Sequence, residues 1–316
     1  MIKPCYTEYM SKESVVVTGV NGFVGHHLAR ELTSSGLSVI GVGTDEAIAP
    51  DIAGIVDEYH QADLTERWPD IPHARAIIHL AGLAAVGPSF DNPQKYINLN
   101  SAMVTNLCEY YVNREDKPRI ILVSSGAIYD GHQPMPISES GAVGLSSPYA
   151  ISKVLNENQA TYYRQRGLDC VTVRPFNHIG PGQAPGFILP DFYERLSQLE
   201  DSSAAVSVGN IDTRRDYTDV RDIVRAYGKL ALADSLQHTI YNVCSGASVS
   251  GTEILDKLKA AMDLPDVTFE IDPSLVRPTD IENIVGDSSR LKEELGWEPK
   301  IPLQQTIADF VASKQD

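Results

Sequence analysis

Tyr149 and Lys153 lie in the run Tyr149-Ala150-Ile151-Ser152-Lys153, a spacing that puts both side chains on one face of a helix, about a turn apart. A phenol beside a lysine ammonium ionises more easily, because the cation favours the phenolate. The pair therefore predicts a proton donor or acceptor usable near neutral pH. Two other features belong beside it. Ser124-Ser125 closes a hydrophobic strand, and a glycine-rich turn, Gly19-Val20-Asn21-Gly22-Phe23-Val24-Gly25, follows another. A nucleotide site and a tunable proton donor in one domain point to redox chemistry.

Those residues need a scaffold, and strand and helix patterns alternate along the chain, the signal for a parallel sheet covered on both faces. Ser14 to Thr18 reads as a β-branched strand entering the glycine turn. A helix follows with Val24, Leu28 and Leu32 at helical spacing and Gly36 as its stop. Further strands are expected at Ser38–Val42, Ala76–Leu80, Ile120–Val123, Cys170–Val173 and Thr239–Val243. Helices are expected near Pro93–Asn113, Pro148–Gln165 and Val220–Ala233. Ser250 with Glu253 forms a capping box for another. Asn177 to Gly186 carries too many turn residues for a regular element, and from Pro273 onward Pro-bearing loops alternate with short helices. The fold class expected is α/β, a Rossmann-type doubly wound parallel sheet with a smaller C-terminal α/β domain. Residues 1–12 read as a polar tail. Residues 13–174 and 217–244 read as the dinucleotide-binding domain, and 175–216 with 245–316 as the substrate domain.

Glycines 19, 22 and 25 let the backbone turn tightly and approach a pyrophosphate at a helix N-terminus, where free N–H groups and the dipole favour an anion. The residue at the tip of the second strand sorts NAD from NADP, since an acid there bonds the ribose 2′-OH whereas a 2′-phosphate wants a base. Here the tip reads Gly43-Thr44-Asp45. The acid is missing from position 43, no base replaces it, and Asp45 stands close by. The balance tips slightly to NADP, with NAD open. Asp63 is placed to accept from an adenine amine after the third strand, or to be a solvated loop aspartate.

Composition narrows the function classes. Of 316 residues, 42% are apolar and 22% charged, and 42 acids against 26 bases give a net charge of −16. So acidic a chain argues against a nucleic-acid or membrane-surface binder, whose affinity needs a positive face. No stretch reaches the roughly 18 apolar residues of a membrane span, and residues 1–12 lack the apolar core of a secretory signal. Cys5, Cys108, Cys170 and Cys244 are scattered without metal spacing, as expected of reduced thiols in a cytoplasmic protein. No cluster suggests a metal, and His79 and His178 read as packed histidines.

These segments resemble the extended short-chain dehydrogenase/reductase family, the NAD-dependent epimerase/dehydratase group acting on nucleotide sugars. The resemblance runs through TGVNGFVG (18–25), HLAGLAA (79–85), VSSGAIY (123–129), YAISK (149–153) and RPFNHIGPGQ (174–183). It extends to VGNIDTRRDYTDVRDIV (208–224), YNVCSG (241–246) and RPTD (277–280). The later segments look most like reductases of GDP-4-keto-6-deoxy-D-mannose. The resemblance implies Tyr149 as general acid/base, Lys153 holding the nicotinamide ribose and lowering the Tyr149 pKa, and Ser125 bonding the sugar's C4 oxygen, with Ser124 as the alternative. It implies cofactor contacts from Gly19, Asn21, Gly22, Phe23, Val24, Gly25, Asp63, Leu64, Leu80, Ala81, Gly82 and Asn100. Asn177, Arg215 and Arg277 match residues around a substrate diphosphate, with Arg214 an adjacent candidate. Arg215-Asp216 could equally be a surface ion pair. Tyr129 reads as lining. The helices near 93–113 and 148–165 are implied as the faces of a homodimer.

One departure separates reactions within the group. The 4,6-dehydratases carry an acid pair after the catalytic hydroxyl residue; here those positions are Gly126 and Ala127, which carry no proton. The resembled reductases often carry a Glu in this stretch, and it too is missing. What remains is chemistry with one acid/base: reduction of a C4 ketone with NADPH or NADH, or C4 epimerisation with tightly held NAD. A non-catalytic dinucleotide sensor would need the glycine turn but neither Tyr149 nor Lys153. The expected partner is a nucleotide sugar, GDP-linked by preference.

Overall fold

The computed structural model describes residues 13–71, 73–199, 205–273 and 281–315. β-branched and aliphatic runs become the central strands, as their patterning requires. These are β1 (Ser14–Thr18), β2 (Ser38–Gly43), β3 (Glu58–Gln61), β4 (Ala76–His79), β5 (Arg119–Val123) and β6 (Cys170–Pro175). The smaller part begins with β7 (Asn177–Ile179), β8 (Ala205–Val208) and β9 (Arg214–Asp219). The chain then returns with β10 (Ile240–Val243) before β11 (Ser248–Ser250), β12 (Thr268–Ile271) and β13 (Asn283–Ile284). Seven strands form one wholly parallel sheet in the order β10-β6-β5-β4-β1-β2-β3. The strand order reverses between β1 and β4, and a ligand crevice opens at the carboxyl ends of strands at such a point.

Helices cover both faces. α1 (Phe23–Ser34) stops as expected: Gly36 takes φ 83° just beyond the helix, a conformation glycine adopts at little cost. α2 (Val86–Asp91), α3 (Pro93–Val112) and α4 (Pro148–Gln165) follow, with α3 and α4 packed on one face through Leu107, Cys108, Ala160 and Tyr163. α5 (Ile188–Ser197) belongs to the smaller part, and α6 (Val220–Leu232) joins α1 on the opposite face through Leu28, Leu32, Ile223 and Tyr227. The last helices are α7 (Gly251–Ala261), α8 (Ser289–Leu295) and α9 (Leu303–Ala312). The capping box at α7 forms in both directions between Ser250 and Glu253.

The smaller part has its own core, in which Leu189, Phe192, Val206, Ile254, Leu258, Ile307 and Phe310 are buried together. Two expectations need correcting. Asn177–Ile179 is a strand after all, paired parallel to β9 from Asn177↔Tyr217 to Ile179↔Asp219; the partner strand, not local propensity, holds it extended. Leu291 and Trp297, expected in the substrate domain, are buried in the core of the large sheet. Trp297 Nε1 donates to the Asp222 carbonyl at 3.0 Å, and the Asp222 carboxylate accepts from the Lys300 and Ile301 amides at 2.8 and 2.9 Å. A fully buried carboxylate needs such donors, and here they draw the C-terminal segment back onto α6. The described cysteines, Cys108, Cys170 and Cys244, are buried free thiols. Among the described residues no helix is long and apolar enough to cross a membrane.

Candidate active site

The glycine turn leaves β1 at the reversal point. Gly19 has φ 67°, and a Cβ there would stand 3.1 Å from the Ala81 amide nitrogen. A Cβ on Gly25 would stand 2.4 Å from the Gly19 and Val20 carbonyl oxygens. Neither position can carry a side chain without moving backbone. Gly22 caps α1 with no side-chain hydrogen bond, so the first-turn amides at the positive end of the helix can hold an anion of pyrophosphate type. Phe23 does not point into open solvent: its ring stacks on His178 at 6.2 Å and meets His27 edge-on at 5.6 Å. Val24 packs against the core.

The wall facing this turn is built from β4 and α3. Thr18 Oγ1 bonds His79 Nδ1 at 2.9 Å and accepts from the Ala81 amide at 3.1 Å, fixing the Leu80-Ala81-Gly82 segment beside Gly19. Burial pulls the His79 pKa down to about 3, and the Lys153 charge adds to that. Asn100 has its amide oxygen on the Leu83 N–H at 2.8 Å and its nitrogen on the Leu83 carbonyl at 3.2 Å and on Ser152 Oγ at 3.0 Å. Its hydrogen bonds therefore tie the 80–83 segment to α4. Asp63 is exposed, and its Oδ1 accepts from the Thr65 amide and hydroxyl at 2.9 and 2.7 Å, which holds its carboxyl below the usual range. The Leu64 side chain is buried in the α3–α4 core.

The catalytic candidates converge at the ends of β5 and α4. Ser147 caps α4 by accepting from the Ala150 amide, with Pro148 in the first turn, an entry that suits Pro. Tyr149 and Lys153 then face β5. Ser124 is buried, whereas Ser125 is half-buried, accepts from the Ala127 amide at 3.1 Å, and lies close enough to the Tyr149 phenol to favour its ionised form. The structure thus brings Ser125, not Ser124, to Tyr149. Lys153 Nζ donates to the Val123 carbonyl at 2.8 Å and sits 5.7 Å from the centre of the Tyr149 ring. Burial pulls the Lys153 pKa down to about 8, while Glu157 one turn on raises it.

The phenol behaves differently from expectation. Burial pushes the Tyr149 pKa above its ordinary value, and the Ser125 hydroxyl only partly offsets this. Desolvation dominates here, and the Lys153 amine is turned to the Val123 carbonyl rather than to the phenol oxygen. Tyr149 is a protonated phenol at neutral pH, poised to donate.

Sequence reasoning missed the network behind this pair. Arg174 makes a two-pronged ion pair with Glu157 at 2.9 and 2.6 Å and donates to Tyr129 Oη at 2.8 Å. Tyr129 donates to Asn242 Oδ1 at 2.7 Å. Tyr129 is thus a buried structural residue, stacked on Phe176. The signal available was Arg174 at a strand end, which has to find a carboxylate to be buried. Gly126 also faces Phe176: a Cβ there would lie 2.9 Å from the ring. The position is closed to an acid side chain.

On the far side, Asn177 is exposed on β7. Arg215 donates to the Arg214 and Ile281 carbonyls at 2.8 and 2.7 Å. Arg277 lies outside the described residues. Arg214 pairs with Glu253 at 2.8 Å and donates to the Ser248 carbonyl, so it braces α7 against β11. Among the described residues Asp216 forms no ion pair. It is buried and accepts from the Ser245 amide and hydroxyl and the Gly246 and Gly286 amides at 2.6–3.1 Å.

Fold and sequence together define an enzyme of the extended short-chain dehydrogenase/reductase type. The family model for GDP-mannose 4,6 dehydratase matches residues 16–310, and the chain belongs to that family. It is 31% identical to the GDP-6-deoxy-D-mannose reductase of Pseudomonas aeruginosa over 93% of this chain and 95% of that one. It is 29% identical to a UDP-glucose 4-epimerase of Bacillus subtilis over 94% and 95%. Among solved structures it is similar to RMD from Pseudomonas aeruginosa complexed with NADPH, with a TM-score of 0.81 and 28% identity over 95% and 98%.

Proposed function

We propose that this enzyme reduces the C4 ketone of a nucleotide-linked 4-keto-6-deoxyhexose, most naturally GDP-4-keto-6-deoxymannose. The observation that carries this reading is the crowding of Gly126 by Phe176, whose ring would stand 2.9 Å from a Cβ there, so that the position after Ser125 takes no acid side chain and Tyr149 is left as the one acid/base of the site. The glycine turn, with its uncapped first-turn amides and with Gly19 against the Ala81 backbone, fits the pyrophosphate of NAD(P)H. That group, when bound, supplies the hydride for C4. Ser125 Oγ orients the carbonyl, Tyr149 passes its proton to the oxygen as it becomes an alkoxide, and Lys153 holds the ribose and compensates the phenolate left behind. Gly126 and Ala127 offer no acid to remove a C5 proton, which disfavours dehydration.

Arg215 on β9 and Asn177 on β7, with Arg277, are proposed to meet the sugar nucleotide's diphosphate, since guanidinium pairs bond such oxygens with two parallel contacts. The nucleotide-binding part is proposed as residues 13–174 and 217–244, with Leu291 and Trp297 of the C-terminal segment packed into its core, and the sugar-nucleotide part as 175–216 with the remainder of 245–316. A homodimer through α3 and α4 in the cytoplasm completes the reading. Supplying the keto sugar with NADH or NADPH tests it: consumption of reduced cofactor and a 6-deoxyhexose product are expected. No consumption with the GDP, UDP or dTDP ketones would end it.

A further inference from the structure

We infer that Asp45, held in place by Asn21, makes this enzyme select NADH over NADPH. The inference rests on the cofactor reading above and goes further, to a specificity determinant. By the second-strand rule, Gly43 leaves the selector position empty of acid and tips the balance toward NADP. The geometry reverses that balance.

The position at the tip of β2 is filled from the side. A Cβ on Gly43 would stand 2.9 Å from Tyr59 Oη, and the same hydroxyl donates to the Asp45 carbonyl at 2.8 Å. Tyr59 therefore crowds position 43 and bonds the backbone two residues on. Asn21, in the middle of the glycine turn, then grips the loop three times. Its Nδ2 donates to Asp45 Oδ2 at 2.8 Å and to the Ala47 carbonyl at 3.0 Å, and its Oδ1 accepts from the Ala49 amide at 2.9 Å. Gln61 adds a bond to the Thr44 carbonyl at 3.3 Å. The Asp45 carboxylate is thus pinned against the glycine turn at the end of β2, on the side of the crevice where an adenosine ribose would lie. A bonded carboxylate with one oxygen still unassigned can accept from a 2′-OH.

A 2′-phosphate meets the opposite situation. The loop from Gly43 to Pro50 carries Asp45 and Glu46 and no lysine or arginine. Arg30, the arginine of α1, is committed to Asp51 at 2.6 Å. A dianion placed here faces the Asp45 carboxylate, with no cation in the 43–50 loop and Arg30 already paired. Asn21 is the positioning residue of the pair and Asp45 the selector.

The test is direct binding of NADH and NADPH to the intact protein, followed by cofactor fluorescence or calorimetry, with Asp45→Ala and Asn21→Ala alongside. NADH is expected to bind about tenfold or more tighter than NADPH, in the range a single favourable hydrogen bond against a like-charge contact supplies. Asp45→Ala should narrow that ratio mainly by improving NADPH, and Asn21→Ala should narrow it with Asp45 still present. Equal binding, tighter NADPH, or a ratio unmoved by Asp45→Ala overturns the selection while leaving the reductase reading intact. Failure of either nucleotide to bind overturns both.

Discussion

Lys153 Nζ donates to the carbonyl of Val123, the last residue of β5, at 2.8 Å, one residue before the Ser124-Ser125 pair that follows the strand. This bond clamps the catalytic helix to the strand that presents Ser125, so the distance between Ser125 and Tyr149 is set by the sheet rather than by a loop. A site held by a strand end and a helix keeps its geometry without rearranging on binding.

Tyr149→Phe removes the proton and leaves the ring, its packing beside Tyr96 and the glycine turn in place. Turnover should fall by roughly a hundredfold or more, the usual order for losing a positioned acid. Cofactor affinity measured by fluorescence should be unchanged. Full activity in this variant would remove Tyr149 from the mechanism.

Arg174→Leu should destabilise the fold by about 3–5 kcal/mol, because it leaves Glu157 as an unpaired, nearly buried carboxylate. Urea unfolding of the variant and of Glu157→Gln would measure this. The double variant Arg174→Leu with Glu157→Leu should recover part of the loss, since no buried charge then remains.

His79 sets part of the acid sensitivity. Unfolded, its imidazole titrates near the ordinary value of 6.5; folded, burial holds it near 3. Between those values the unfolded chain binds more protons. Stability contributed by the neutral ring is therefore present above the upper value and lost as pH falls toward the lower one. From about pH 7 to about pH 5 the expected loss from this group is about 2 kcal/mol. His79→Gln should show a shallower decline in urea midpoint across that interval, and an identical decline would exclude His79 as the source.

Arg215→Ala should weaken sugar-nucleotide binding by about 1.5–3 kcal/mol, the value of a charged hydrogen bond. Arg214→Ala should leave binding nearly unchanged and cost at most about 1 kcal/mol of stability, because its Glu253 pair is solvent-screened. Calorimetric titration with GDP separates the two arginines.

Ile151, Leu155 and Tyr162 are exposed large hydrophobic residues along α4, at spacings that share one helical face. If α3 and α4 form the homodimer surface, Leu155→Arg should shift the protein from dimer to monomer in sedimentation.

Much of this was legible in the residues. Six of the seven strands of the large sheet read as such because each is a short run rich in β-branched or aliphatic residues, whereas β3, Glu-Tyr-His-Gln, carries no such run; α4 was read from Pro148 onward. That Ser125, Tyr149 and Lys153 lie together was legible because each stands at a strand end or on one helix face. What sequence could not show depends on distant partners. Asn177–Ile179 is extended only because β9 lies beside it, and β8 joins β12 across sixty-odd residues of chain. Trp297 could be placed only once Asp222 was known to bond its indole. The direction of the Tyr149 shift was misread for the same reason: i,i+4 spacing gives proximity to Lys153, while desolvation depends on the whole surrounding fold.

The most direct measurement sets three substrates side by side: GDP-4-keto-6-deoxymannose with reduced cofactor, UDP-glucose alone and GDP-mannose alone, with products identified by mass and NMR. The ketone should be converted to a GDP-6-deoxyhexose with one reduced cofactor consumed per molecule, and Tyr149→Phe should abolish this. Conversion of UDP-glucose to its C4 epimer without net cofactor use, or dehydration of GDP-mannose, with the ketone untouched, would contradict the account.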